Sequence, residues 1–127
     1  DTWQNLGAFA DIANDHAGWI DTDSPGAPAV ISAQQDLGNI EDDAWHRVQV
    51  SWDAATETLN YWVDGVQGRA LSGNIVDEHL GGLDFATFGF TAGTGADSNF
   101  QQVNVLGLAG TFEDGRIVGV GTEYLQA

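Results

Sequence analysis

Apolar and polar positions alternate along the middle of the chain. In Trp45-His46-Arg47-Val48-Gln49-Val50-Ser51-Trp52, the residues Val48, Val50 and Trp52 fall on one side. A two-residue period is the mark of a strand. Thr58-Leu59-Asn60-Tyr61-Trp62-Val63 follows after a turn over 53–57, so the two runs predict an antiparallel hairpin. Asp64-Gly65 predicts a second tight turn, because both residue types tolerate positive φ. Phe85 to Ala92 and Phe100 to Leu106 predict further strands, and a short strand is expected around His16–Ile20. Helical periodicity is poor. The exception is Asn74 to Leu80, a helical turn closed by Gly81-Gly82. Short strands separated by Gly-rich turns argue for an all-β antiparallel sandwich. Val48, Val50 and Phe88 are expected in its core. Trp45, Trp52 and Trp62 are expected as core or edge packing, His46 as structural, and His79 at the surface.

Composition narrows the functions open to such a fold. The 127 residues allow one domain, and 43% hydrophobic residues with 10% aromatics suffice for a core. No apolar run is long enough to cross a membrane, so membrane insertion is not expected. Cysteine is absent, which excludes disulfides and thiolate metal sites. The formal charge is −16, with three Arg and no Lys. Such a chain repels phosphate backbones, so nucleic acid is rejected as a partner.

The amino-terminal segment carries the candidate chemistry. Asp1-Thr2-Trp3-Gln4-Asn5, then Asp11 to Asp15 and His16, is a series of oxygen donors ending in an imidazole. In an extended chain Asp1, Trp3 and Asn5 point to one side. Ca²⁺ takes carboxylate, amide and carbonyl oxygens, and Mn²⁺ or Zn²⁺ would add the imidazole. An indole inside a run of metal donors suggests sugar binding.

The same residues resemble the metal segment of L-type (legume-type) lectins, in which Asp-Thr-aromatic-x-Asn precedes an Asp and a His. Asn39 to Gly65 resembles the central hairpin of the bacterial members. Gly73-Asn74-Ile75-Val76 and Phe88-Gly89-Phe90-Thr91-Ala92-Gly93-Thr94-Gly95-Ala96-Asp97 resemble their last strand and binding loop. The resemblance covers residues 1–106 as the C-terminal part of a lectin-like domain. Residues 107–127 are left as a final strand or a linker. It implies a concanavalin A-like jelly-roll β-sandwich, incomplete in this chain. The rest of the sandwich would lie in a longer protein or be supplied by a companion chain.

The resemblance also implies roles. Asp1, the Trp3 carbonyl, Asn5 and Asp11 match the Ca²⁺ ligands. Asp1, Asp11 and His16 match the ligands of a second, transition-metal ion such as Mn²⁺. That second ion also takes a Glu just before the position of Asp1. Asn5 would bond the sugar, Trp3 would stack under it, and the backbone N–H groups of Ala96 and Asp97, in the loop opened by Gly95, would select it. The implied partner is a glycan, bound without catalysis by a secreted or cell-surface bacterial adhesin module. Glycoside hydrolysis needs two carboxylates set across a cleft, and the five scattered Glu offer no such pair. A non-sugar adhesion or spacer domain with a structural metal is the other open reading.

Overall fold

The structure is a computed structural model that describes residues 12–22, 29–83, 85–92 and 100–110. The chain falls into two units, Asp1–Asp84 and Phe85–Ala127. In the first unit the described elements run β1 (Asp15–Ala17), β2 (Ile20–Asp21), β3 (Ala29–Val30), β4 (Gln35–Gly38), β5 (Val48–Asp53), β6 (Thr58–Val63), β7 (Val66–Gln67), β8 (Leu71–Ser72) and the helix α1 (Ile75–His79). The described elements are thus nearly all β-strands, as alternation predicts. The pairs β1–β4 and β2–β3 form two small antiparallel ribbons. β6 is the spine of a four-stranded antiparallel sheet. It pairs with β5 along one edge and with β7 and β8 along the other.

The expected hairpin forms in full register, from Val48 opposite Val63 to Asp53 opposite Thr58. The Asp64-Gly65 turn also forms. Both residues have positive φ, 49° and 81°, which is the two-residue turn whose twist suits a hairpin. The first strand starts at Val48 rather than Trp45. The Asp64 carboxylate captures the Arg47 N–H at 2.8 Å, and the Asp64 N–H reaches the Arg47 carbonyl at 2.9 Å. A side chain here takes the place of the next rung of the ladder.

Alternation gives the sheet two unlike faces. Val48, Val50 and Trp52 share one face with Val63, Tyr61 and Leu59, their cross-strand partners. Tyr61 and Val63 are buried, together with Val30, Ile75 and the polar Ser32. Val48 and Val50 are not core residues: they are 65% and 58% exposed. The cover over this face reaches the central strand and stops short of the β5 edge. The Tyr61 hydroxyl donates to the Ala17 carbonyl at 3.0 Å. The Tyr61 and Trp19 rings meet edge to face with centroids 5.5 Å apart. Trp19 Nε1–H donates to the Arg69 carbonyl at 3.0 Å, and its backbone N–H donates to the buried Ser32 hydroxyl at 3.1 Å. Trp19 and Tyr61 are therefore the clasp between the β1–β2 segment and the sheet.

Gly81 and Gly82, both with φ near 70°, close α1 as expected. His79 is not a bare surface residue. Its Nδ1 lies 2.7 Å from Asp21 Oδ2 and ties the helix to β2. In the second unit, the strands expected at Phe85–Ala92 and Phe100–Leu106 do not form; the described residues there join no sheet. Phe88 is 60% exposed rather than core. A period-two pattern makes a strand only where another strand satisfies its N–H and C=O groups, and no ladder partner for these segments occurs among the described residues.

Candidate functional site

Among the residues expected to bind metal and sugar, His16 is described. Asp1, Trp3, Asn5, Asp11, Gly95, Ala96 and Asp97 lie outside the described residues. His16 sits on β1, half-buried, opposite Asp36 of β4. Its Nδ1–H donates to the Asn14 carbonyl at 2.9 Å. A neutral imidazole bonded in this way carries its lone pair on Nε2, the form in which histidine ligates a metal. Asp36 is equally well held. It accepts the Gly38 N–H at 2.8 Å, and the Asn14 amide at 3.1 and 3.0 Å through its two oxygens. These bonds, with Gly38 the largest cause, keep its carboxyl below the usual carboxylate range. Asp15 accepts the Ile40 N–H at 2.8 Å and so pins the 39–44 loop to β1. Among the described residues no cluster of three or more acidic, His or Cys side chains could hold a metal ion. Asp1 and Asp11, the other ligands expected for an ion at His16, lie outside the described residues.

The solvent face of the four-stranded sheet holds a cleft at Trp62, a residue that the sequence predicts as core or edge packing. Gln49, Trp62 and Gln67 are register partners on β5, β6 and β7, so they form one row across the sheet. The next row is Ser51 and Asn60, and the last is Asp53, Thr58 and Ser72. Trp62 is the one aromatic residue in these rows. It is half-buried in an open cleft of about 450 Å³ lined with Arg47, Gln49, Asp64 and Gly65. Gln67 Nε2–H donates to Asn60 Oδ1 at 3.1 Å and orients both amides. Strict alternation already places Trp62 opposite in sense to Tyr61 and Val63, and that was the signal available.

Beside this cleft His46 lies between two carboxylates. Nδ1 is 2.7 Å from Asp64 Oδ2, and Nε2 is 3.0 Å from Asp42 Oδ1. Both nitrogens face acceptors, so the geometry favours imidazolium. The bond to Asp64 and then that to Asp42 raise the His46 pKa above its ordinary 6.5. The same bonds lower Asp64 and Asp42 below 3.8. The arrangement is structural. It fastens the 39–44 loop to the turn after β6.

Its linkage to stability has a definite sign. The raised histidine stabilises fully below pH 6.5, and this is lost as pH rises through its folded value. The lowered carboxylates stabilise above pH 3.8, and this is lost as pH falls through theirs. The melting temperature of the native chain should exceed that of a His46→Gln variant most between these two values, with the gap closing on both sides. Thermal melts of both proteins from acid to alkaline pH would check this; a gap independent of pH would contradict it.

With this geometry in view, comparison with protein-family models finds no match, and no solved structure matches the chain.

Proposed function

We propose that this chain is a calcium-dependent carbohydrate-binding module of the L-type lectin kind, with jelly-roll architecture, on a secreted or cell-surface bacterial protein. The observation that carries the reading is His16. Its Nδ1–H is bonded to the Asn14 carbonyl, which fixes the ring on β1, and in sequence it follows the oxygen donors Asp1, Trp3, Asn5 and Asp11. The stretch that carries the hairpin resemblance does form an antiparallel hairpin followed by the Asp64-Gly65 turn, as alternation and turn chemistry predict. The exposed row Val48, Val50 and Val66 fits a sandwich whose remaining strands come from a companion chain or a longer protein.

The chemistry follows from the donor types. A hard cation held by Asp1, Asn5, Asp11 and the Trp3 carbonyl would fix the Asn5 amide, which can still donate to a sugar hydroxyl. Rotamers fixed in advance cost less to order on binding. Trp3 would present a flat apolar face to the C–H side of the ring. His16, with Asp1 and Asp11, would hold the transition metal. Such sites are shallow and wet, with monosaccharide affinities near millimolar, about −4 kcal/mol. Repeated copies would raise the avidity.

The test is a glycan array read with and without chelator, followed by two variants. Trp3→Ala should remove the calcium-dependent part of the binding while calorimetry still finds Ca²⁺ bound. Asp11→Ala should lose Ca²⁺ and lower the melting temperature together, because a bound ion stabilises the state that holds it. Equal calcium-dependent sugar affinity in Trp3→Ala, or a melting point indifferent to EDTA, would overturn the reading.

A further inference from the structure

The geometry points to a second, metal-independent saccharide site on the solvent face of the four-stranded sheet, centred on Trp62. It shares no residue with the amino-terminal site and does not rest on it. Three observations carry it. The first is an indole in an otherwise polar field. Along the rows of this face every neighbour of Trp62 is an amide, a hydroxyl or an acid. The ring is half-buried on the side of the sheet away from the core residues Tyr61 and Val63, so core packing does not account for an indole at this position.

The second is the order of the flanking groups. Gln49 and Gln67 stand on either side of Trp62 in one row, and Asn60 is oriented by Gln67 at 3.1 Å. Each primary amide offers both a donor and an acceptor. A pyranose presents hydroxyls that are donor and acceptor at once, around an apolar C–H face. An indole between two amides matches both features. The row spans three strands, about 10 Å, which accommodates about two pyranose rings.

The third is the cleft itself. At about 450 Å³ it has the volume of a small-ligand site. Its far edge is rigid, because both Asp64 oxygens are committed, one to the Arg47 N–H and one to His46. Arg47 supplies a donor fork on the same edge. The ligand assigned is a neutral oligosaccharide. A polyanionic glycan would meet a chain of formal charge −16.

The experiment uses the full chain in CaCl₂, so that any calcium-dependent folding is preserved. Four proteins are compared: the native chain, Trp3→Ala, Trp62→Ala and the double variant. The probes are gluco-, manno-, galacto- and xylo-hexaoses, read by affinity electrophoresis and saturation-transfer NMR. Trp3→Ala should still bind at least one hexaose. The double variant should bind it at least tenfold more weakly, while Trp62→Tyr, placed in the Trp3→Ala background, should retain much of the binding. Gln49→Ala in that background should weaken it severalfold. Near-UV circular dichroism of each variant separates lost binding from lost fold. The inference is overturned if folded Trp3→Ala binds no hexaose, or binds as well with Trp62→Ala as without it. Loss of all binding on Trp3→Ala alone would sink this site and leave the amino-terminal one standing. Loss of all binding on Trp62→Ala alone would do the reverse.

Discussion

Replacing Gly68 with alanine should destabilise the protein by about 3 kcal/mol, a fall in melting temperature of roughly 10 °C or more. Gly68 follows β7, and its N–H donates to the Tyr61 carbonyl at 3.0 Å. The Tyr61 ring folds directly over it. A Cβ built on Gly68 would lie inside that ring, against Cζ, Cε2 and the hydroxyl oxygen. Sheets use an aromatic residue to cover a cross-strand glycine in this way. The ring cannot swing aside cheaply. Its hydroxyl is bonded to the Ala17 carbonyl, and its edge meets Trp19. Moving it breaks the clasp between β6 and the β1–β2 segment and strands a buried hydroxyl, at about 1–3 kcal/mol for that group. Burial also raises the Tyr61 pKa above its ordinary 10.0, against a smaller opposing effect from the Arg69 backbone. The loss should be strongly coupled to the ring. In a Tyr61→Ala background, Gly68→Ala should cost little, because the colliding atoms are gone. A double-mutant cycle in urea would measure this. Additive losses would mean that Gly68 matters through its backbone rather than through the ring above it.

This contact marks the boundary of what the sequence made legible. The β5–β6 hairpin, the Asp64-Gly65 turn and the helical turn ended by Gly81-Gly82 rest on local signals, and each stands where alternation and turn chemistry put it. Gly68 between Gln67 and Arg69 looks like any loop glycine until Tyr61 is folded over it. Alternation correctly groups Val48, Val50 and Trp52 on one side, but it says nothing about whether that side is covered. The cover depends on Trp19 and Ala17, more than forty residues before the Tyr61 that they contact, and it stops at the central strand. The short strands β2, β3, β4 and β8 have two to four residues each, too few to carry a period, and exist through their partners. His79 meets Asp21 across 58 positions, with no local hint of it.

The candidate site was legible in a different way. The donor run suggests metal chemistry by its residue types alone, and Asp1, Trp3, Asn5 and Asp11 lie outside the described residues, while His16 falls on a strand as expected. Its bond to Asn14 and the Asp36 carboxylate opposite needed the β1–β4 register. The Trp62 row shows the converse case. Its face is readable from the period, since Trp62 alternates with Tyr61 and Val63, but a tryptophan in a strand is expected as packing, which gives no sign of the cleft beside it.

The second large effect concerns α1, where burial and polar bonds compete as explanations. Five residues cannot hold a helix by themselves, since nucleation alone is unfavourable. Three attachments keep this one in place. Ile75 is 2% exposed, the most completely buried of the core side chains. The Val76 N–H, left without a partner at the helix start, donates to Glu57 Oε2 at 3.2 Å. His79 pairs with Asp21 at 2.7 Å, with side chains 23% and 18% exposed. Ile75→Ala should cost about 2–5 kcal/mol, because it removes the transfer energy of the lost carbons and leaves a cavity. His79→Ala should cost about 1 kcal/mol or less, as a partly solvated pair of this kind. Glu57→Gln should fall in the same small range, because the amide oxygen can still accept. The measurements are chemical denaturation of all three variants, with hydrogen exchange at the Leu80 and Gly82 amides, which both donate to the Val76 carbonyl. Ile75→Ala should speed exchange there far more than His79→Ala. If the order were reversed, the helix would be moored by its His79–Asp21 hydrogen bond to β2. The buried isoleucine would then be filling space that the polar contacts had already defined.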